Sequence, residues 1–166
     1  DSDRWSDRIY PDGTWEVNLF QFYRRVLPKL QASLPTPFRL EDGVRRDGTL
    51  AHEALREAMA NLCVHADYSE KASLLVTKYP DKIILSNPGV LLISREQFFR
   101  GGESVCRNTS LQQMFMMMGQ AEKAGSGVDK ILRGWKASRW GRPYPNELFR
   151  PNKVELVMPL ESLLDP

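Results

Sequence analysis

Apolar residues recur at helical spacing in several stretches of the chain and cluster at strand length in three others. After Asn18, which can cap a helix, Leu19, Phe22, Val26 and Leu30 fall three and four residues apart. They predict a helix that Pro28 should kink or interrupt. From Thr49, a second possible cap, to His65, the residues Ala51, Ala54, Leu55, Ala58, Met59 and Leu62 form one apolar face. Residues 72–79 read as a strand, Pro80-Asp81 as a tight turn and residues 82–87 as the returning strand, ended by Pro88-Gly89. A short helix is expected over 94–100, up to the Gly101-Gly102 break, and an amphipathic one from Thr109 to Met118. Gly125-Ser126-Gly127 opens another, with Val128, Ile131, Leu132 and Trp135 on one face, and residues 153–158 make a last strand. Residues 34–48, rich in Pro, Gly and charge, are expected to be a loop, and Pro11-Asp12-Gly13 a turn. Helices interspersed with strands, one pair a hairpin, predict an α+β fold: a two-layer α/β sandwich with a mixed sheet covered by helices. The domain is expected over residues 18–160, with 1–17 an extension from a preceding domain and 161–166 a tail.

Composition narrows the function classes. The chain has 166 residues, 42% hydrophobic and 27% charged, which suits one globular domain rather than a disordered segment. No apolar run approaches the ~20 residues of a membrane span, so no membrane partner is expected. With 23 basic and 21 acidic residues the net charge is +2, too small for bulk charge to imply nucleic acid. Cys63, Cys106, His52 and His65 lack the paired spacings of a zinc site. Cys63 lies in an apolar helical stretch and reads as a buried thiol, which suits a reducing cytoplasm. The abrupt polar start at Asp1 reads as a piece of a longer protein.

Four groups of residues could carry chemistry. Glu53, Glu57, Asn61 and His65 recur every four residues along one edge of a helix. A carboxylate there can take a proton from water, and an amide oxygen is a hard ligand for Mg²⁺. Spacing alone is described as well by a solvated helix face. Ser86-Asn87-Pro88-Gly89 at a strand end can offer a side-chain oxygen to a planar ligand edge, or be a plain turn. Gly125-Ser126-Gly127 before a helix lets backbone N–H groups approach a phosphate, or merely starts the helix. Arg133, Lys136, Arg139, Arg142 and Arg150 interleave with Trp135, Trp140, Tyr144 and Phe149, a composition met at single-strand nucleic-acid surfaces and also in simple packing under Arg stems.

The order of these groups is more specific than any one of them. Ala54-Leu55-Arg56-Glu57-Ala58, Asn61, His65-Ala66-Asp67-Tyr68, Ser86-Asn87-Pro88-Gly89, Gly102-Glu103-Ser104, Arg107-Asn108 and Glu122-Lys123-Ala124-Gly125-Ser126-Gly127 follow one another over residues 18–159. The chain thereby resembles the Bergerat-type ATP-binding fold of the gyrase, heat-shock chaperone, histidine kinase and mismatch-repair superfamily (GHKL). More closely, it is similar to the C-terminal domain of the RecG-like ATP-dependent DNA helicase family, found in predicted bacterial transcriptional regulators behind a Schlafen-type AlbA domain. The resemblance implies an ATP site with Mg²⁺. Glu57 would be the water-activating carboxylate and Asn61 the Mg²⁺ ligand. Asn87 would stand where the superfamily has an adenine-binding aspartate, with Gly89 two residues on. Gly125, Ser126 and Gly127 would line the phosphates. It also implies DNA contact through other domains. The chain has no Walker-type loop and is no helicase motor by itself.

Three departures point toward weak, altered or lost nucleotide binding: Asn87 is an amide, Leu91 replaces a second glycine, and no long Gly-rich lid separates Asn87 from Gly125. The alternatives are a domain that keeps the fold as a dimerisation or interaction platform, for which the Met114–Met118 run is a candidate contact, or direct nucleic-acid binding through the basic aromatic stretch. The Met run itself reads first as core filling.

Overall fold

The computed structural model describes residues 9, 14, 18–34, 40–41, 44–45, 49–102, 105–121 and 126–162. In chain order the elements are α1 (Leu19–Ala32), β1 (Leu40–Glu41), β2 (Val44–Arg45), α2 (Leu50–His65), β3 (Leu75–Lys78) and β4 (Lys82–Pro88). They are followed by α3 (Arg95–Arg100), α4 (Thr109–Met117), α5 (Gly127–Ala137), β5 (Tyr144–Leu148) and β6 (Lys153–Pro159). The expected α+β class holds. The Pro11-Asp12-Gly13 turn and Gly125 lie outside the described residues.

The helix starts follow the caps. Asn18 Oδ1 accepts from Gln21 N at 2.9 Å. Thr49 and His52 form a reciprocal capping box. The His52 ring also reaches back to α1, with Nε2 3.0 Å from Gln31 O. Nδ1 must accept from Thr49 N at 3.3 Å, so the proton sits on Nε2 and is donated to Gln31 O. Pro28 lies inside an unbroken α1, contrary to the expected interruption. Burial of Val26, Leu27 and Leu30 around it holds the helix together against the one lost backbone bond.

The main sheet has the order β3-β4-β6-β5, and every pair is antiparallel. This corrects the mixed sheet expected from sequence. The reason is β5, which escaped detection and makes a second hairpin with β6. Pro145 and Asn146 argue against a strand, but β5 is an edge strand, where a proline is tolerated. Ile83 and Leu85 of β4 and Met158 of β6 are buried in one core with α1, α2 and α5, whose fully buried members include Leu55, Met59 and Trp135. Cys63 is buried there too, and burial pushes its thiol up to about 12.

α5 lies antiparallel on α2, a register set by two glycines seven residues apart. A Cβ on Gly134 would strike Leu50 O and come within 2.7 Å of Ala54 Cβ. One on Gly127 would strike Glu57 Oε1 and lie 3.2 Å from Asn61 Nδ2. Between them Lys130 Nζ stands 3.9 Å from Glu53 Oε2. Helix α4 departs from expectation. Phe115 alone is buried, edge-on to Tyr23 at 5.0 Å, while Met117 is 88% exposed and Met114, Met116 and Met118 are exposed as well.

Candidate functional site

The α5 packing decides what the polar stripe of α2 does. Glu53 stays exposed, but the rest of the stripe is not a solvated face. Glu57 is 3% exposed and lies beneath Gly127, the first residue of α5. A helix N-terminus carries partial positive charge, so a carboxylate is favourably placed there. Asn61 and His65, one and two turns further on, are half-buried and border a cavity of about 120 Å³. One water needs about 10–15 Å³ of such space, so the cavity admits a group much larger than a water.

The cavity lies between α2, the strand end at Asn87, the turn at Val90–Ile93 and α5. Its walls are apolar, including Leu62, Leu85, Val90, Leu91 and Ile131, with Asn61, His65 and Asn87 as the polar exceptions. Apolar walls with a few convergent polar groups are the usual makeup of a small-molecule site.

The orientation of Asn87 is fixed by its surroundings. Its Nδ2 faces two carbonyl oxygens, His65 O at 3.5 Å and Pro88 O at 3.3 Å. Turning the amide over would set oxygen against oxygen, so the donors stay on the protein side. Oδ1, which takes no donor among the described residues, is the group left for a ligand. Asn87 therefore presents an acceptor, as an aspartate would, but without charge. Asn61 has no hydrogen-bond partner among the described residues, and its amide is free to meet a ligand. The His65 imidazole is held below its ordinary value by burial and then by Arg107, against a bond to the Val105 backbone that raises it. It is thus neutral at physiological pH.

The turn after β4 is tied on every side. Asp67 N donates to Pro88 O at 2.9 Å and Gly89 N to Asn152 O at 3.0 Å. Gly89 has φ +110°, and a Cβ there would lie 3.0 Å from Asp67 Cβ and 3.4 Å from Arg107 Nη2. Both facts demand glycine. Gly89 thus shapes the turn and does not itself border the cavity. Arg107 Nη1 donates to Asp67 Oδ2 and Nη2 to Val90 O, each at 3.3 Å, while its Nε is buried with no partner among the described residues. Asn108 Nδ2 donates to Val64 O at 2.7 Å and Ala66 O at 2.8 Å, closing the end of α2. Asp67 accepts from Ser69 Oγ at 2.5 Å and Ser69 N at 3.0 Å. Those two bonds, followed by Arg107, hold its carboxyl below the usual range. The words His65-Ala66-Asp67-Tyr68, Asn87-Pro88-Gly89 and Arg107-Asn108, distant in sequence, therefore meet at one corner.

The structure brings together Glu57, Asn61 and Gly127 at one contact, and Asn61 and Asn87 around one cavity. Glu57 does not border that cavity. Ser126 is the cap residue of α5 and makes no side-chain cap bond. Sequence reading missed Glu147, whose Oε2 accepts from Leu91 N at 2.9 Å. Its one signal was being a lone acid in a basic stretch. In that stretch Trp135 is buried and packs on Trp140 at 4.9 Å, and Arg142 stacks on Phe99 at 4.0 Å. Tyr144 and Phe149 remain exposed.

The elements define an α+β domain. The chain belongs to the family described as "Putative ATP-dependent DNA helicase recG C-terminal", whose model matches residues 72–158. Asn87, Gly89, Gly125, Ser126 and Gly127 fall within that match, and Glu57 and Asn61 precede it. Among solved structures the chain is similar in fold to the DIP2311 protein from Corynebacterium diphtheriae, with a TM-score of 0.64 and 21% identity. That likeness covers 84% of this chain and 29% of the other, so the chain spans under a third of its length. No curated protein matches the chain.

The residues present fit a purine nucleotide. The slot has apolar walls for a flat ring and the Asn87 oxygen for an exocyclic amine. Among the described residues no group of three His, Cys, Asp or Glu could hold a metal by itself. Mg²⁺ is ordinarily held by one or two protein groups together with phosphates and water, and an amide oxygen such as that of Asn61 suits it chemically. No helix among the described residues is long and apolar enough to cross a membrane.

Proposed function

We propose that the domain binds ATP with Mg²⁺ as the nucleotide-responsive module of a larger transcriptional regulator whose other domains contact DNA. The observation that carries the reading is the pair of ligand-facing amides, Asn61 on α2 and Asn87 on β4, at one apolar cavity. Asn87 Oδ1 accepts from the adenine amino group while Val90, Leu91 and Ile131 enclose the ring. Bound Mg²⁺ would neutralise phosphate charge, with Asn61 Oδ1 as its protein ligand. Gly127 and Ser126, at the α5 N-terminus, are the residues that would meet the phosphates, together with Gly125, which lies outside the described residues. Glu57 lies next to Asn61 and is the group that would take a proton from an attacking water.

Calorimetric titration with Mg·ATP tests this. Saturable binding is expected, and Glu57→Ala should keep the affinity within a few-fold while removing turnover. Hydrolysis at the wild-type rate in Glu57→Ala would refute its role, and absence of binding in the wild type would refute the reading.

The exposed methionines of α4 favour a second reading, a contact platform that forms a homodimer. Helix α4 carries no charged residue, and methionine adapts to partners. Sedimentation at micromolar concentration decides it: a monomer removes this reading.

A further inference from the structure

Val90 C=O and Leu91 N–H are the two ends of one peptide group. In a trans peptide they point in opposite directions. The guanidinium of Arg107 meets the carbonyl end at 3.3 Å, and the carboxylate of Glu147 meets the N–H end at 2.9 Å. A cation at the carbonyl and an anion at the N–H both match the dipole of that peptide. Flipping it would set the carbonyl against a carboxylate and the N–H against a guanidinium. The two side chains come from separate elements, Arg107 from the segment before α4 and Glu147 from β5. Both residues of the gripped peptide, Val90 and Leu91, border the cavity.

We infer that Arg107 and Glu147 are positioning residues for nucleotide binding: a charged clamp on the Val90–Leu91 peptide that sets the shape of the cavity wall. This deepens the nucleotide reading and rests on it. Neither residue touches the ligand. Arg107 is anchored by Asp67, so the clamp ties the cavity wall to the end of α2 as well. Hydrogen bonds to charged groups are stronger than neutral ones, which is why one peptide can be held so firmly at a turn. The clamp also accounts for Leu91 in place of glycine. With the peptide held from outside, a side chain at this position can face inward as part of the wall.

The test uses the full chain as wild type and as Glu147→Ala, Glu147→Gln and Arg107→Lys. Amide exchange at Leu91 is followed by NMR against the β4 amides, and Mg·ATP affinity by calorimetry. In Glu147→Ala the Leu91 amide should exchange about tenfold faster or more while β4 is unchanged, and Mg·ATP should bind about tenfold more weakly. Glu147→Gln, which keeps an acceptor, should restore most of both. Arg107→Lys, unable to serve Asp67 and Val90 together, should weaken binding several-fold. Unchanged Leu91 exchange in Glu147→Ala overturns the clamp whatever the nucleotide does. Faster exchange with unaltered affinity overturns the positioning role. Failure of the nucleotide reading shows separately, as a wild type that binds no nucleotide, and it removes the positioning role while the Leu91 exchange still judges the clamp.

Discussion

Gly127→Ala adds one methyl group at the point where α5 meets α2. Gly127 has ordinary helical backbone, so the substitution carries no conformational strain; helix propensity favours alanine by up to about 1 kcal/mol, and the opposing effect comes from space. The new Cβ would collide with Glu57 Oε1 and lie 3.2 Å from both Glu57 Cδ and Asn61 Nδ2. The carboxylate must move, and at 3% exposure it has no open room to move into. Overpacking costs about 1–3 kcal/mol. The colliding atom ends a side chain that is flexible but buried, so the middle of that range applies, about 2 kcal/mol, and about 1 kcal/mol remains after the propensity gain, a fall in Tm of roughly 2–4 °C. The functional cost should be larger than the stability cost, because both side chains assigned to the phosphate end of the site are displaced together. Thermal unfolding and Mg·ATP titration of the same variant separate the two. The expected result is a small loss of Tm with at least about tenfold weaker Mg·ATP binding, the size of effect a displacement of about 1 Å can have on a positioned site. A variant with wild-type Tm and wild-type affinity would refute the close packing of Gly127 on Glu57 and Asn61.

Three further outcomes are expected. Gly134→Ala should lower Tm by roughly 4–8 °C, about 2 kcal/mol, because its Cβ strikes the Leu50 carbonyl, backbone that cannot swing aside. Helix propensity alone would make the same change stabilising by about 1 kcal/mol, so a rise in Tm refutes the packing. Asn87→Asp should weaken nucleotide binding rather than improve it, since a carboxylate oxygen would then face the His65 and Pro88 carbonyls. Tighter binding of this variant by calorimetry would contradict the assigned orientation. The folded-state pKa of His65 lies below its unfolded value of 6.5, so the unfolded chain takes up the proton first as pH falls. Stability should therefore drop below about pH 6.5 down to the folded pKa, and a Tm-against-pH curve should be flatter there in His65→Gln.

Much of this was legible in the chain. Asn18 and Thr49 announced the starts of α1 and α2, and the Pro80-Asp81 turn before the apolar run Ile83-Ile84-Leu85 announced β4, because caps and turns are local signals. What could not be read is what lies across from each residue. The stripe Glu53, Glu57, Asn61 and His65 looks like a wet face until α5 is laid on it, and only Gly127 and Gly134, seven residues apart, hint that a helix comes so close. β5 was hidden by Pro145, which an edge strand accepts, and losing it also lost the antiparallel character of the sheet. Glu147 and Arg107 act on backbone groups far away in sequence, and no spacing rule connects them to Val90 and Leu91. The methionines of α4 share a composition with core residues, so only their exposure separates a filled interior from an open face.

The central claim, a nucleotide site built around Asn61 and Asn87, is tested most directly by thermal unfolding of the chain with and without Mg·ATP, repeated on Asn61→Ala. A ligand present at about 100 times its dissociation constant stabilises by ~2.7 kcal/mol. For a chain of this size that is a rise of roughly 5–10 °C. The account predicts such a rise, dependent on Mg²⁺ and lost in Asn61→Ala. An unchanged Tm in the wild type at millimolar Mg·ATP, or an equal rise in Asn61→Ala, would contradict it.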